Sequence, residues 1–334
     1  MKDTLISLKT CSSCDEIPSL LPKERRLITI IDASVADRFG KYFSHPQIKI
    51  SVSEENKSLK EVERIAMLLI EMEADRDTTI VAVGGGALTD LVGFAASTYM
   101  RGIPFIFVPT TLLAMVDASI GGKNGVNLGV YKNIIGVFRQ PEYTLICPEF
   151  LETLPEKEYR NGLAEMIKSF IIADRTSFFI FMSLSKENWK EHKTIAPFIS
   201  KAAAIKSAIV ERDPIEKGER KLLNLGHTFA HAIELKEQLP HGEAVGIGIA
   251  LAAKLSVKLS LLNSEECNTI ITGLQQFDLN TVSPVKMNEV VDILKKDKKR
   301  SGDMINFILI KKIGETVIYP LHVDNLKELL YELS

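Results

Sequence analysis

Residues 79–108 read TIVAVGGGALTDLVGFAASTYMRGIPFIFV, and the order of textures in this stretch decides the fold. Thr79–Val83 is a short apolar run, rich in β-branched residues, of the kind that makes a strand covered on both faces. Gly84, Gly85 and Gly86 end it. A helical segment follows through Asp90–Tyr99, and Pro104–Val108 supplies a second strand. Strand, glycine turn, helix and strand in that order make the repeating unit of a parallel sheet with helices on its faces. Glycines at such a turn let backbone N–H groups approach an anion, and the start of the following helix favours negative charge. The spacing is neither G-x-G-x-x-G nor a Walker A sequence, so a phosphate-binding turn and a plain flexible turn both remain open. Asp90 is placed on the first turn of the helix, where it caps or complements the dipole.

The same alternation extends outward. Leu27–Asp32 and Ile48–Val52 read as strands, and residues 58–74 carry a helical period at Leu59, Val62, Ile65, Ala66, Leu69 and Ile70. Residues 1–149 are therefore expected to form an α/β domain built on a parallel sheet, with ligands beyond the carboxyl ends of its strands. Residues 109–133, PTTLLAMVDASIGGKNGVNLGVYKN, are expected to be a long, glycine-rich loop carrying Thr110, Thr111, Asp117, Lys123, Lys132 and Asn133, functional by its length, with a solvated connection bearing scattered lysines as the competing reading. Within it, SIGGK sets a lysine among backbone N–H groups, which suits an anion. From Phe150 the texture becomes helical, so residues 150–334 are expected to form a mostly α-helical domain. A small hairpin at Ile305–Ile310 and Glu315–Tyr319 and a terminal helix at Val323–Leu333 complete it.

A length of 334 residues suits two cores. The net charge of -2 gives no reason to expect nucleic acid or an anionic membrane as partner. Lys254 and Lys258 interrupt the best candidate for a membrane span. Cys11 and Cys14 form a C-x-x-C, but Cys147 and Cys267 do not make a second pair. The thiols are read as reduced, in a cytoplasmic protein.

Asn224–Ala244, NLGHTFAHAIELKEQLPHGEA, holds three of the six histidines. His227 and His231 are one helical turn apart, and His241 follows a break at Pro240, which reads as helix, turn, helix with the histidines near the facing ends. Upstream, Glu165 and Lys168 share a face of an otherwise apolar helix. A carboxylate there would complete a His/His/Glu set with an open position, the catalytic zinc pattern. The competing reading is satisfied structural histidines beside an ordinary Glu–Lys ion pair.

Several long motifs then match in order: Val83–Gly136, FLETLPEKEYRNGLAEMIK at Phe150–Lys168, RKLLNLGHTFAHAIE at Arg220–Glu234, HGEAVGIG at His241–Gly248 and KKDKK at Lys295–Lys299. Together they cover essentially Ile28 to Ile310, and the chain resembles the 3-dehydroquinate synthase family. The resemblance implies conversion of 3-deoxy-D-arabino-heptulosonate 7-phosphate to 3-dehydroquinate and phosphate, in the shikimate route to aromatic amino acids. It implies that the α/β domain is Rossmann-like and nucleotide-binding and the mostly α-helical one metal-binding, with NAD and one divalent metal, zinc or cobalt, a homodimer, and a site in the cleft between the two domains. It further implies transient oxidation at C4, phosphate elimination, re-reduction and an intramolecular aldol closure, with the metal polarising the C4 oxygen.

Carried over by motif, the metal ligands are Glu165, His227 and His241. The NAD contacts are Asp32, Glu54, Lys57, Gly85, Gly86, Asp90, Thr110, Thr111, Asp117, Lys123, Lys132, Phe150 and Thr153. The substrate phosphate is assigned to Lys123, Asn133, Asn224, His231 and Lys298. Lys206 and Arg220 are assigned to the carboxylate, Asp117 and Lys168 to the reacting hydroxyls, and Arg101 to the neighbouring subunit's site. Thr89 stands where the family has a further glycine, and the loop ELKEQLP before His241 is short. Two enzyme classes compete: sugar-phosphate cyclases that make other cyclitols, and metal-dependent alcohol or glycerol dehydrogenases. Lys206, Arg220, Asn133 and Asn224 favour the carboxylated heptulosonate, and a dehydrogenase has no need of that anion-binding set. A catalytically inert scaffold is disfavoured by the intact ligand set.

Overall fold

Alternating apolar runs and helical segments at residues 8–146 build a six-stranded parallel sheet. Residues 6–185, 188–296, 303–331 and 333 are described by the structure, a computed structural model. The strands are β1 (Leu8–Thr10), β2 (Leu27–Asp32), β3 (Gln47–Ile50), β4 (Thr79–Gly84) and β5 (Phe105–Pro109). A hairpin of β6 (Lys123–Leu128) and β7 (Tyr131–Phe138) follows, and then β8 (Thr144–Ile146) returns to the sheet. The order across the sheet is β1-β8-β5-β4-β2-β3. β3 lies on one side of β2, and β4 and β5 lie on the other. The winding therefore reverses between β2 and β4, where α/β sheets open a crevice for ligands. Ile31 pairs with Val83, so Asp32 and Gly84 end those two strands side by side.

The strands expected at Leu27–Asp32, Thr79–Val83 and Pro104–Val108 are β2, β4 and β5, each within a residue of its expected bounds. The helix after the glycine turn is longer than read, Gly86–Thr98, because Gly85 already acts as its N-cap. Asp90 consequently sits beyond the first turn, a correction to its expected capping position. The expected long loop is likewise corrected: much of it is the β6–β7 hairpin, with Leu128 opposite Tyr131 across Gly129 and Val130. Gly129 has φ +59, the positive value that a two-residue hairpin turn asks of its first position. β1 and β8 escape a reading of the sequence since each is only three residues long.

The chain divides into two compact units, Met1–Pro155 with Glu191–Ala203, and Glu156–Lys190 with Ala204–Ser334. In the first, Ile28, Ile30, Ile80, Ala82, Phe105 and Phe107 of the sheet pack with Leu91, Val92 and Ala95 of the helix Gly86–Thr98 and with Ile65 and Leu69 of the helix Leu59–Glu71. The second is mainly helical: Glu156–Ala173, Arg175–Met182, the C-terminal half of His192–Arg212, His227–Glu237, His241–Lys258, Ser264–Gln276 and Met287–Lys296. An antiparallel hairpin, β9 (Met304–Lys312) and β10 (Glu315–His322), and the short helix Leu326–Tyr331 end it, as expected. Among the described residues no helix is long and apolar enough to cross a membrane.

Candidate metal centre and cofactor turn

The helix Glu156–Ala173 is apolar nearly all round, and its residues 161–172 are buried. A carboxylate and an ammonium inside such a helix must satisfy each other or a ligand. Glu165 and Lys168, 1% and 2% exposed, form an ion pair between Oε2 and Nζ. Oε2 thus faces the Lys168 ammonium, and Oε1 is the oxygen turned toward the histidines.

Two close helix approaches bring the histidines to that carboxylate. At Gly242 a Cβ would lie 2.4 Å from the Asn161 Cα, so only glycine lets the start of His241–Lys258 dock on Glu156–Ala173. The Gly242 N–H donates to Asn161 Oδ1 at 2.9 Å and fixes that docking. At Gly248 a Cβ would fall 2.1 Å from the Gly226 carbonyl oxygen, so the same helix also crosses tightly over the turn before His227. Gly226 itself, at φ +80, is the N-cap that lets His227 start its helix. His241 opens its helix at the break, as expected, whereas His227 opens the preceding helix at its far end, which corrects the expected placement of that histidine.

The result is a converging set. His241 Nε2 is 3.2 Å and His227 Nε2 3.6 Å from Glu165 Oε1, and one ligand atom from each residue lies within 4.8 Å of the others. The opposite ring nitrogens are held as a metal site requires. His227 Nδ1 faces the Leu225 carbonyl at 3.3 Å, and His241 Nδ1 faces Glu234 Oε1 at 3.0 Å. Glu234 was not singled out in the sequence. It lies three residues after His231 and seven after His227, on the same helical face, and that spacing is the signal that finds it. His231 stacks edge-on to His227, with centroids 5.6 Å apart, and is outside the three-donor set.

Charge follows geometry. Burial opposes ionisation of Glu165, but Lys168 and the two histidines outweigh it and hold the carboxyl well below the usual range. Burial and the neighbouring Lys168 charge push His227 down to about 3, so its imidazole is neutral. For His241 burial is outweighed by hydrogen bonds to Glu165 and Glu234, and the imidazole is pushed up to about 10. Two imidazoles and a carboxylate, with an ionised acceptor at the centre, fit a borderline divalent cation.

The remaining residues of the second unit expected to meet substrate are mostly buried. Lys206 lies on His192–Arg212, 8% exposed. Arg220, 3% exposed, donates from Nη1 to the Pro214 carbonyl at 2.6 Å, and its backbone N–H donates to Asp213 Oδ2. Asn224 donates to Glu216 Oε1 at 2.7 Å. Lys298 lies outside the described residues.

In the first unit, the glycine turn is walled by the chain that follows β5. A Cβ on Gly85 would lie 3.1 Å from Thr111 Cγ2, and one on Gly86 would lie 2.9 Å from Ala118 Cβ. The glycines thus serve close packing. Thr110, buried, donates its N–H to the Gly84 carbonyl at 2.9 Å, and Thr111 Oγ1 accepts from Ala114 N–H. Asp117 belongs to the π-helical turn Ala114–Ala118. Lys57, 1% exposed, pairs with Asp90 at 2.9 Å and Glu54 at 3.2 Å, so three of the expected cofactor residues form one cluster. Asn127 ties that cluster to the hairpin: its amide donates to the Glu54 carbonyl, and its Oδ1 accepts from Asn133 N–H. Asn127 was also missed.

Asp32 ends β2 and caps the next helix, accepting from Ser34 N–H at 2.9 Å. Phe150 is fully buried, 4.7 Å from the Phe39 ring, which leaves its backbone for any ligand contact. Thr153 closes the same 3-10 turn. Lys123 and Lys132 are exposed on the hairpin. Arg101 is exposed and, with Met100 and Gly102, forms three successive positive φ values of +48, +69 and +117. Strain of that kind in non-glycine residues collects at functional sites. Thr89 is accommodated because its hydroxyl donates to the Gly86 carbonyl at 3.0 Å.

Known proteins share these features. Residues 47–161 match the family described as 3-dehydroquinate synthase N-terminal, and residues 162–300 match 3-dehydroquinate synthase C-terminal. A 3-dehydroquinate synthase from Campylobacter concisus is 43% identical over 276 residues, 81% of this chain and 79% of that protein. Among solved structures, a 2-epi-5-epi-valiolone synthase from Streptomyces hygroscopicus with NAD+ and Zn2+ is similar, with a TM-score of 0.88 and 26% identity over 100% of this chain and 98% of that one. A 2-deoxy-scyllo-inosose synthase complexed with carbaglucose-6-phosphate, NAD+ and Co2+ has a TM-score of 0.87 and 26% identity, covering 99% of each chain.

Proposed function

The chain belongs to the 3-dehydroquinate synthase family, and from that premise we propose how its residues divide the work. The activity is the conversion of 3-deoxy-D-arabino-heptulosonate 7-phosphate to 3-dehydroquinate and phosphate, with NAD and a divalent metal as cofactors. The observation that carries the assignment of residues is the convergence of Glu165, His227 and His241 on one point.

Those three residues hold the cation, zinc or cobalt, and the Leu225 carbonyl and Glu234 keep the imidazole Nε2 atoms aimed at it. When bound, the cation supplies Lewis acidity to a substrate oxygen and NAD supplies a hydride acceptor that is restored within the cycle. Lys168, held beside Glu165 in a dry setting, is placed to stabilise negative charge that develops on a reacting hydroxyl. Lys206, Arg220, Asn224 and His231 form the anion-holding set of the second unit, where buried cations recognise anionic groups strongly.

In the first unit, Gly85, Gly86, Thr110 and Thr111 present the backbone that receives the cofactor's phosphates. Asp32, Glu54, Lys57, Asp90, Lys132, Phe150 and Thr153 complete the cofactor set. Asp117, Lys123 and Asn133 are assigned to substrate. The chain works as a homodimer in the cytoplasm, with Arg101 serving the partner's site. An exposed apolar face on β7, Ile134 and Phe138 at 63% and 56% exposure, supports the dimer.

The test is a phosphate-release assay with the heptulosonate phosphate, with and without NAD and chelator. Release that needs both cofactors, with no net accumulation of NADH, is the expected result. NADH accumulating with an alcohol substrate, or release unaffected by chelator, sinks the reading.

A further inference from the structure

Three of the four cysteines meet in the first unit, although they are far apart in sequence. Cys14 and Cys147 are both fully buried and their Sγ atoms are 3.6 Å apart. One carboxylate oxygen of Glu149 joins them, so all three ligand atoms lie within 4.8 Å of one another. The Cys14 N–H donates to Glu149 Oε2 at 2.8 Å, which fixes the carboxylate over the thiols. Two backbone features fix the sulfurs: Cys147 follows directly on β8, and the Cys11 N–H donates to the Ile146 carbonyl at 3.1 Å, which pins the C-x-x-C segment to the end of that strand.

We propose that Cys14, Cys147 and Glu149 form a sulfur-rich site for a divalent metal of the zinc and cobalt class, built from none of the residues of the Glu165 centre. The dimensions fit. With Zn–S bonds of about 2.3 Å, two thiolates on one tetrahedral ion stand ~3.8 Å apart, close to the spacing these sulfurs already have. Two thiolates and a carboxylate are a donor set that soft-to-borderline ions prefer to calcium or magnesium. Cys11, whose thiol donates to the Ile146 carbonyl at 4.0 Å, flanks the site without belonging to its three donors. The site ties residues 11–16 to the chain after β8 and so clamps the outermost strand, β1, to its neighbour. Its role is structural, since it holds an edge strand only three residues long.

Cobalt substitution of the full chain tests this, because thiolate ligation gives an intense near-ultraviolet charge-transfer absorption that a His/His/Glu site lacks. The expected result is that band in the wild-type protein with about two metal ions per chain, and a band that survives changes at the other centre: His227→Ala drops the count to about one and keeps the band. Cys147→Ser removes the band, leaves about one ion per chain and retains phosphate release. If Cys147→Ser does not fold, the wild-type spectrum with His227→Ala still decides. No thiolate band with one ion per chain, or a Cys14–Cys147 disulfide in the purified chain, overturns the proposal.

Discussion

At the scale of single residues, the metal centre depends on a side chain that binds nothing itself. Glu234 holds His241 through Nδ1, and such outer partners are worth roughly ten- to a hundredfold in metal affinity. Glu234→Ala is expected to weaken zinc binding by about that factor with the fold retained, as read by competition with a chromophoric chelator and by circular dichroism. The same hydrogen bond sets a pH dependence. Without metal, His241 is pushed up to about 10 and is protonated at neutral pH, whereas His227 is neutral. A metal needs both imidazoles neutral, so binding expels the His241 proton. Apparent zinc affinity at this centre should therefore rise by about tenfold per pH unit through the neutral range and level off near pH 10. Calorimetry in buffers of differing ionisation enthalpy should find one proton released, and a pH-independent affinity would contradict the assigned charge state. Arg220→Ala should raise KM for the heptulosonate phosphate by about 10–100-fold, the worth of a charge-assisted hydrogen bond or two, and leave NAD affinity unchanged.

At the scale of elements, what positions the site is the absence of two side chains. Gly242 and Gly248 let one helix lie against both Glu156–Ala173 and the turn at Gly226. Gly242→Ala would place a Cβ against the Asn161 Cα and the Arg160 carbonyl, backbone atoms that cannot swing away. We expect a loss of about 1–3 kcal/mol of stability together with weakened zinc binding, seen in thermal melts with and without metal. This scale also shows where reading the sequence succeeds and where it stops. The strand–glycine–helix unit at residues 79–108 was legible because its period and its breaker residues are local. The hairpin around Gly129 and Val130 has the texture of a loop because β6 and β7 carry Asn, Gly and Lys in place of a clean alternation. The Cys14–Cys147 contact leaves no local trace at all, since 133 residues separate its partners.

For the whole molecule, the informative feature is an apolar surface where a lone soluble chain would carry charge. β7 points Ile134 and Phe138 outward, two residues apart twice over with Gly136 between them, and the hairpin tip adds Val130 at 90% exposure and Tyr131 at 58%. On a strand such residues share one face, and contiguous apolar faces of this kind are covered by partners. The proposed dimer gives the face its occupant, a second copy of the chain. The double variant Ile134→Asp, Phe138→Asp places two carboxylates on it without touching the buried face of the hairpin, where Val126 packs. Sedimentation velocity should find twice the 37.1 kDa chain mass for the wild type and the single chain mass for the variant. Circular dichroism should be unchanged between them, since both substituted positions are solvent-facing. Arg101 makes the stronger claim testable in the same experiment. If the partner subunit's site needs it, the monomeric variant should lose most phosphate release even though it still binds zinc, and Arg101→Ala mixed with that variant should restore none. A wild-type protein that sediments as a single chain at full activity would remove both the interface and the role assigned to Arg101.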